Sequence, residues 1–198
     1  MLKLARQGVF HTIQGEGVML GVPMTFVRLA GCSVGCKQCD TNYQPHEEKD
    51  VRQVAGEIVQ AGRWNQWVWI TGGEPADQAP EVAGLATTLL HYGCRVAIAT
   101  AGVGKIDVPA SVFVSVSPHD LTRWEVRSGD QLNIVPGLNG FDPFACYAEL
   151  MRAAKNFRHC FATPLYGDAA SLATCRRLVD QSPGWRLGVQ AHRVWGVA

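Results

Sequence analysis

Three cysteines lie within eight residues of one another: Cys32, Cys36 and Cys39. Thiolates this close along a chain can bind one metal centre if the backbone folds around it, a path that Gly31 and Gly35 permit. Structural zinc usually takes four protein ligands, so zinc would need a fourth, for which His46 is the nearest candidate. A ferredoxin-type 4Fe-4S cluster also takes four cysteines. The triplet is therefore typical of a 4Fe-4S cluster with one iron open to another ligand, and zinc is the alternative.

The other four cysteines are scattered: Cys94, Cys146, Cys160 and Cys175. Each lies in an apolar stretch, where a free cysteine usually packs as a small buried hydrophobe. The total of seven is odd, which does not fit a secreted disulfide scaffold. We therefore expect these four side chains to pack in the core.

The segment Gly72-Gly73-Glu74-Pro75 is a second candidate for chemistry. Two glycines expose backbone groups to a close ligand, and Glu74 can accept a hydrogen bond from an ammonium group. Alone, this composition would predict only a turn. It follows a predicted strand, as the cysteine triplet does, so both loops should open at the same edge of a parallel sheet.

Polar groups also occur near both ends of the chain. Residues 10–17 combine a carboxamide, a carboxylate and two glycines, which suits binding of a flat heterocycle, with a polar hairpin turn as the alternative. Arg28 lies in an apolar strand, where its partner would be a ligand carboxylate or a structural ion pair. His192, taken alone, is a surface or core histidine.

Hydrophobic patterning predicts alternating strands and helices. Strands are expected at residues 24–29, 67–70, 95–100, 112–117, 131–135, 160–163 and 186–190. Helices are expected between Asp50 and Gly62, at residues 80–91, from Pro143 and after Asp168. This alternation predicts a mostly parallel α/β sheet with right-handed crossovers. A full eight-unit barrel takes about 250 residues. We therefore expect one domain, residues 1–198, folded as a partial, open β/α barrel, with a doubly wound sheet as the alternative.

Composition excludes several classes of function. The chain has 198 residues, with 18 Lys and Arg against 17 Asp and Glu, so bulk charge indicates neither nucleic-acid nor anionic-membrane binding. Its apolar runs are far shorter than the roughly 18 residues that span a bilayer. The first residues lack the apolar core of a signal peptide. We therefore expect a cytoplasmic protein that contacts neither nucleic acid nor membrane.

Taken together, the motifs resemble a known enzyme family. The spacing Cys32-x3-Cys36-x2-Cys39 with Gly72-Gly73-Glu74-Pro75 is similar to that of the radical S-adenosylmethionine (SAM) superfamily. Further segments resemble the 7-carboxy-7-deazaguanine synthase family over nearly the whole chain: residues 12–17, 21–23, 26–31, 39–41, 115–118, 190–192 and 195–197.

This resemblance implies a 4Fe-4S cluster, SAM and Mg²⁺ as cofactors. Reductive cleavage of SAM would give a 5′-deoxyadenosyl radical, which takes a hydrogen from 6-carboxy-5,6,7,8-tetrahydropterin; ring contraction and loss of ammonia give 7-carboxy-7-deazaguanine, and SAM is regenerated. The family also implies an electron donor such as flavodoxin or ferredoxin, and a homodimer.

The resemblance also implies roles for individual residues. The cluster ligands would be Cys32, Cys36 and Cys39, and Thr41 would bind magnesium. The residues expected at SAM are Gln38, Gly72, Gly73, Glu74, Ser117, Pro118, His119, Thr163, Pro164, Leu165 and Tyr166. The residues expected at the substrate are Ile13, Gln14, Gly15, Glu16, Arg28, Thr71, His192 and Ala198, the last two closing over it.

The middle of the chain departs from the family pattern. Residues 99–102 read Ala-Thr-Ala-Gly where Glu-Thr-Asn-Gly is usual. His119 stands where lysine is common, and Gln131-Leu-Asn133 where Glu-Leu-Lys is common. Neutral residues therefore stand at both positions of an ion pair that the family pattern implies. This joint change need not abolish the binding of SAM.

Two alternative functions fit some of these features. A glycyl-radical-activating enzyme, acting on a partner protein, shares the cysteine spacing, but residues 14–17, residues 39–41 and the histidine tail favour a small-molecule substrate. A non-catalytic zinc or iron-sulfur module would leave Gly72-Gly73-Glu74 and the N-terminal run unexplained.

Overall fold

A computed structural model describes residues 1–39, 41–62 and 66–197. Asp40 of the Cys-Asp-Thr motif and Ala198, which the sequence assigns to the substrate site, lie outside the described residues. The strands are β1 (Leu2–Ile13), β2 (Pro23–Leu29), β3 (Pro45–Lys49), β4 (Trp67–Gly72), β5 (Arg95–Thr100), β6 (Phe113–Val116), β7 (Gly129–Ile134), β8 (Phe157–Ala162) and β9 (Trp185–Leu187). The α-helices are α1 (Val51–Ala61), α2 (Ala79–His91), α3 (Tyr147–Ala154), α4 (Ala169–Gln181) and α5 (Ala191–Trp195).

All nine described strands form one sheet, in the order β3-β1-β2-β4-β5-β6-β7-β8-β9. β1 pairs antiparallel with β2 and with β3. From β2 through β9 every neighbouring pair is parallel. The two edge strands, β3 and β9, do not pair with each other, so the sheet stays open. The predicted α/β fold, a partial β/α barrel, is confirmed.

Helices cover one face of this sheet. Val54 of α1 and Leu85 of α2 pack with Ile70 and Ile98 of the sheet, and Leu150 of α3 and Leu178 of α4 pack in a second cluster. A third cluster lies on the opposite, inner face and comprises Met24, Phe26, Trp69 and Ala97, with Phe10 and Phe113 against it. Since side chains alternate along a strand, Thr71, Gln131 and Asn133 also point to the inner face, near the carboxyl ends of their strands.

Local sequence explains the helix ends that were predicted. Asp50 caps α1 by accepting from Arg52 N at 2.8 Å, and Gln53 completes a capping box. Gly62 ends α1 in the left-handed conformation, with φ of 55°. Asp168 caps α4 by accepting from Ser171 N at 2.9 Å.

The structure also departs from the predicted elements. β1 and β3 were not predicted, and residues 10–13 extend β1 rather than forming a turn. β3 has the sequence Pro-His-Glu-Glu-Lys, whose polarity suits an exposed edge strand but lacks the usual hydrophobic alternation. α3 begins at Tyr147 because residues 143–146 form turns, and the last strand shifts to Trp185–Leu187. No helix in the described ranges is long and apolar enough to cross a membrane.

Candidate active site

The cysteine triplet lies on the loop that follows β2. Gly31 and Gly35 both have positive φ, 77° and 63°, which confirms the predicted role of glycine in turning this loop. The loop is fixed at its base, where Gly31 N donates to Tyr43 O at 2.8 Å. Ser33 ties it to neighbouring segments: its amide donates to Asp77 Oδ2 at 2.7 Å, and its carbonyl accepts from Arg123 at 2.9 Å.

The Gly72-Gly73 turn packs directly on this loop, backbone against backbone. Gly73 N donates to Leu29 O at 2.8 Å, and Glu74 N donates to Gly31 O at 3.1 Å. A Cβ atom on Gly73 would lie 1.5 Å from Gly31 O. Only glycine permits this approach, so the structure brings the two predicted loops together at the carboxyl ends of β2 and β4.

Glu74 is almost completely buried, with 3% of its surface exposed. Its Oε1 accepts from Thr100 Oγ1 at 2.5 Å and from Ala76 N at 2.9 Å, while Oε2 accepts from Ala101 N at 2.8 Å. Burial raises the pKa of this carboxyl, and the hydrogen bonds lower it in part. Sequence reasoning assigned Glu74 to an ammonium group, whereas here its carboxylate ties the glycine turn to the end of β5.

The Cys36 thiol has two polar side chains beside it. Its Sγ lies 3.2 Å from Asn139 Nδ2 and 3.3 Å from His119 Nδ1. Burial raises the pKa of Cys36, Asn139 lowers it, and the neighbouring Cys39 and Cys32 raise it again. The neighbouring thiols therefore disfavour ionisation of Cys36, an effect that positive charge close to the loop would offset.

The donor set fits a metal centre. All seven cysteines are free of disulfides, so the three thiols of the loop are available as ligands. Within the described ranges, no group of three or more His, Cys, Asp or Glu side chains is already arranged to hold a metal ion. The loop, which turns at two glycines, carries three thiol sulfurs, and sulfur is a soft ligand. Such sulfurs are the donors that an iron-sulfur cluster takes. His46, the fourth zinc ligand considered, lies on β3 and is exposed.

Core packing is confirmed for two of the four scattered cysteines, and the other two are only partly buried. Cys160 and Cys175 are buried, and burial raises the pKa of Cys160 to about 11 and that of Cys175 to about 12. Cys94 and Cys146 are partly buried against the two helix-side clusters.

The segment after β1 meets the C-terminal tail. Ala191 N donates to Gly15 O at 2.9 Å, and a Cβ on Gly15 would lie 2.6 Å from His192 N. Glu16 Oε1 accepts from Gln190 Nε2 at 3.2 Å and lies 3.9 Å from His192 Nδ1. The structure thus brings together three residues assigned to the substrate from opposite ends of the chain.

Side chains of β7 also hydrogen-bond to the segment that follows β1. Glu16 Oε2 accepts from Asn133 Nδ2 at 3.3 Å, and Asn133 Oδ1 accepts from Thr163 Oγ1 at 2.6 Å. Gln131 Oε1 accepts from Val18 N at 2.8 Å, and its Nε2 donates to Ser115 Oγ at 3.0 Å. Gln131 and Asn133, which both depart from the family pattern, therefore hold the N-terminal loop through hydrogen bonds of their neutral carboxamide groups.

Arg28 and Thr71 are register partners in the β2–β4 ladder and share the inner face. The Arg28 guanidinium lies 4.8 Å from the centre of the Phe10 ring, and its Nη1 donates to Gln7 Oε1. This cation is therefore held over the inner face beside a threonine hydroxyl.

The remaining predicted SAM residues follow β6 and β8. His119 Nε2 lies 3.2 Å from Ser117 Oγ, just beyond the end of β6. Thr163 is fully buried and directly follows β8, whereas Tyr166 is 62% exposed and its amide donates to Gln190 Oε1 at 3.1 Å. Gln38 and Thr41 lie on the cysteine loop, where Gln38 Oε1 accepts from Asn139 N at 3.3 Å.

Sequence reasoning missed Asn139, which contacts the cysteine loop at three consecutive residues. Residues 136–140, Pro-Gly-Leu-Asn-Gly, have the composition of a turn, and this turn follows a predicted strand at the carboxyl edge. That position relative to the strand was the available indication.

No protein-family model matches the chain. A curated 7-carboxy-7-deazaguanine synthase of Methanospirillum hungatei is 31% identical over 203 residues, covering 96% of this chain and 84% of the relative. One from Nitratidesulfovibrio vulgaris is 31% identical over 220 residues, covering 96% of both chains. The crystal structure of QueE from Escherichia coli superposes with a TM-score of 0.76 at 24% identity, covering 96% of this chain and 93% of that one, and so supports the fold. The chain belongs to the 7-carboxy-7-deazaguanine synthase family.

Proposed function

We propose that this protein converts 6-carboxy-5,6,7,8-tetrahydropterin into 7-carboxy-7-deazaguanine with loss of ammonia, as a radical SAM enzyme. The observation that supports this most strongly is the convergence of four segments at one end of the sheet. The cysteine loop packs on Gly73, and the N-terminal loop at Gly15 and Glu16 is bonded to the tail at residues 190–192. The cysteine loop and the N-terminal loop thus lie at the same end of the sheet.

Cys32, Cys36 and Cys39 would hold a 4Fe-4S cluster. When bound, the cluster and SAM supply the carbon radical that the reaction requires. The chain contributes the three sulfurs and the hydrogen-bond donor of Asn139 beside Cys36. It also contributes the close packing of Gly31 against Gly73, which fixes the base of the loop.

The backbone of Gly72 and Gly73, the turn of Ser117, Pro118 and His119, and the segment of Thr163, Pro164, Leu165 and Tyr166 would line the SAM site together with Gln38. Glu74 would support this site by fixing the glycine turn to Thr100 and Ala101. This assignment gives Glu74 a positioning role that its three hydrogen bonds within the chain support. Direct contact with the SAM ammonium group is compatible with the remaining lone pairs.

Arg28 would bind the substrate carboxylate, and Thr41 would supply an oxygen ligand to Mg²⁺. The guanidinium is suited to this because it lies on the inner face at the edge where the loops meet. Ile13, Gln14, Gly15, Glu16 and Thr71 would contact the heterocycle, with His192 and Ala198 closing the site. The hydrogen bonds of Glu16 to Gln190 and Asn133 support such a closure.

We further propose that flavodoxin or ferredoxin supplies the electrons and that the enzyme acts as a homodimer in the cytoplasm. Free cysteines throughout the chain suit a reducing compartment. Exposed apolar side chains near β9 and α5 offer surface that a second copy could cover: Leu187, Val189, Val194 and Trp195.

The decisive experiment is an anaerobic incubation of iron-reconstituted protein with SAM, Mg²⁺, dithionite and 6-carboxytetrahydropterin, followed by mass analysis. We expect carboxydeazaguanine without stoichiometric loss of SAM. Accumulation of 5′-deoxyadenosine without that product would mean that the radical machinery is correct and the substrate is wrong, so that a partner protein becomes the better candidate. Absence of both would favour a non-catalytic metal module.

A further inference from the structure

A turn after β7 lies against the cysteine loop and contacts it through the backbone and the side chain of Asn139. Lys37 N donates to Asn139 Oδ1 at 3.3 Å, Asn139 N donates to Gln38 Oε1 at 3.3 Å, and Asn139 Nδ2 lies 3.2 Å from Cys36 Sγ. One residue therefore binds three consecutive residues of the loop, although it is 103 residues from Cys36 in the chain.

The orientation of this carboxamide follows from its other contacts. Its oxygen accepts from a backbone amide, that of Lys37, and its nitrogen donates to a backbone carbonyl, that of His119, at 3.3 Å. If the amide oxygen and nitrogen were exchanged, the Asn139 NH₂ group would face the Lys37 N–H donor. The Asn139 oxygen would then face the His119 carbonyl oxygen, which is also an acceptor. An N–H group, rather than a lone pair, is therefore directed at the Cys36 sulfur.

The backbone holds the side chain in this place. Asn139 has φ of 51° and ψ of 25°, a left-handed conformation that asparagine adopts more readily than most residues. It lies in a short 3-10 turn, Leu138–Gly140, between Gly137 with φ of 90° and Gly140 with φ of 77°. Since the turn is closed by Gly137 N donating to Phe141 O at 2.8 Å, the donor is preorganised.

We propose that Asn139 is a positioning residue that donates a hydrogen bond to the Cys36 thiolate and thereby raises the reduction potential of the cluster. This inference rests on the proposed function, in which Cys36 is a cluster ligand. A hydrogen bond to a ligating sulfur withdraws electron density and stabilises the reduced, more negative cluster. Asn139 touches neither substrate nor iron in this scheme, because it acts only through the sulfur and the loop.

The test is a redox titration of the reconstituted cluster, without SAM, followed by electron paramagnetic resonance. Asn139→Gly keeps the left-handed turn and removes the donor, and Asn139→Asp keeps Oδ1 but replaces the donor with negative charge. At a fixed potential we expect the ratio of reduced to oxidised cluster to fall about tenfold in N139G, the order of one hydrogen bond to a charged group. For a one-electron couple this equals a shift of about 59 mV to lower potential. N139D should shift further in the same direction.

Asn156→Asp is the matched control, because Asn156 is an exposed amide that donates to Arg127 O at 3.2 Å on the turn before β8. It adds the same charge away from the cysteine loop and should leave the potential unchanged. If N139G and N139D bind normal amounts of iron and sulfide but titrate like the wild type, the inference about Asn139 is wrong while the cluster assignment stands. If the wild type itself assembles no cluster, the proposed function fails and the inference fails with it. If N139G assembles no cluster, the reduction potential of N139D is the test. A potential below that of the wild type then supports the inference, and an unchanged potential contradicts it.

Discussion

At the scale of single residues, the ligand role of Cys36 gives the sharpest test. Cys36→Ala removes one of three thiolates and should abolish cluster assembly and product formation, because two sulfurs cannot replace three on this loop. Iron and sulfide content with visible absorbance is the measurement. Cys94→Ala is the matched control: Cys94 is partly buried beside a helix-side cluster, so its loss should cost about 1 kcal/mol of stability and leave iron content unchanged. Full cluster occupancy in C36A would contradict the assignment.

Thr41 allows a test of the proposed magnesium site that separates the hydroxyl from the rest of the side chain. Thr41→Ala should raise the Mg²⁺ concentration for half-maximal activity roughly tenfold or more, since an oxygen ligand is lost. Thr41→Ser keeps the hydroxyl and should behave like the wild type. Equal Mg²⁺ dependence in all three proteins would exclude Thr41 as a ligand.

The buried carboxyl of Glu74 should make the stability of the protein depend on pH. Because burial raises its pKa above the ordinary value of 4.5, the folded protein holds this proton more tightly than the unfolded chain does. Its contribution to stability is therefore fully present below about pH 4.5 and is lost as the pH rises through the folded pKa. Glu74→Gln cannot titrate, so the stability of the wild type relative to E74Q should fall as the pH rises above 4.5. Urea unfolding at several pH values measures this, and parallel curves would contradict it.

The sequence predicted residue chemistry where residues are close together in the chain, as in the cysteine triplet and Gly72-Gly73-Glu74. Contacts between distant segments escaped it. Asn139 is identified by its contacts with residues 36–38 of a distant loop, and the hydrogen bonds of Glu74 to Thr100 and Ala101 depend on the pairing of β4 with β5. A side chain with several partner choices has no local pattern that reveals which one it takes.

At the scale of elements, the junction of the two loops depends on Gly73. Gly73→Ala places a methyl group 1.5 Å from Gly31 O, so the cysteine loop and the glycine turn must separate. We expect a loss of about 2 kcal/mol or more in stability, with reduced cluster content. Gly56→Ala in α1 is the control: its Cβ meets nothing within 4 Å, so it should stabilise the protein by about 0.5–1 kcal/mol. Unfolding curves and iron analysis distinguish the two, and a G73A protein as stable as the wild type would contradict the close approach.

Buried strands were predictable and exposed ones were not. The parallel strands β4, β5 and β6 have apolar, partly β-branched sequences because their side chains pack into clusters on both faces of the sheet. β7 is polar on its inner face, where Gln131 and Asn133 alternate with the buried Leu132 and Ile134. β1 was missed because its polar and apolar residues do not alternate strictly, its register with β2 being shifted between Leu4 and Val9. β3 was missed because it is polar and pairs only with β1.

At the scale of the whole molecule, the two ends of the chain meet over the inner face. The N-terminal loop follows β1 and the tail follows β9, and these strands are seven places apart in the sheet. Glu16 links them by accepting from Gln190 on the tail and from Asn133 on β7. The loop and the tail are therefore joined across the open sheet by these side-chain bonds and by the backbone bond from Ala191 N to Gly15 O, rather than by strand pairing.

This arrangement makes Gln190 a test of closure. Gln190→Ala removes two hydrogen bonds, one to Glu16 Oε1 and one from Tyr166 N, while leaving the cysteine loop untouched. We expect the KM for carboxytetrahydropterin to rise about tenfold, as for the loss of one or two hydrogen bonds, with unchanged iron content. Hydrogen exchange at residues 14–22 should become faster, because the loop then opens more often. Val59→Ala on α1, where Val59 is 41% exposed, is the control and should change neither quantity. If Q190A exchanges faster but keeps the wild-type KM, the tail holds the loop without closing over the substrate; if neither changes, the junction has no part in closure.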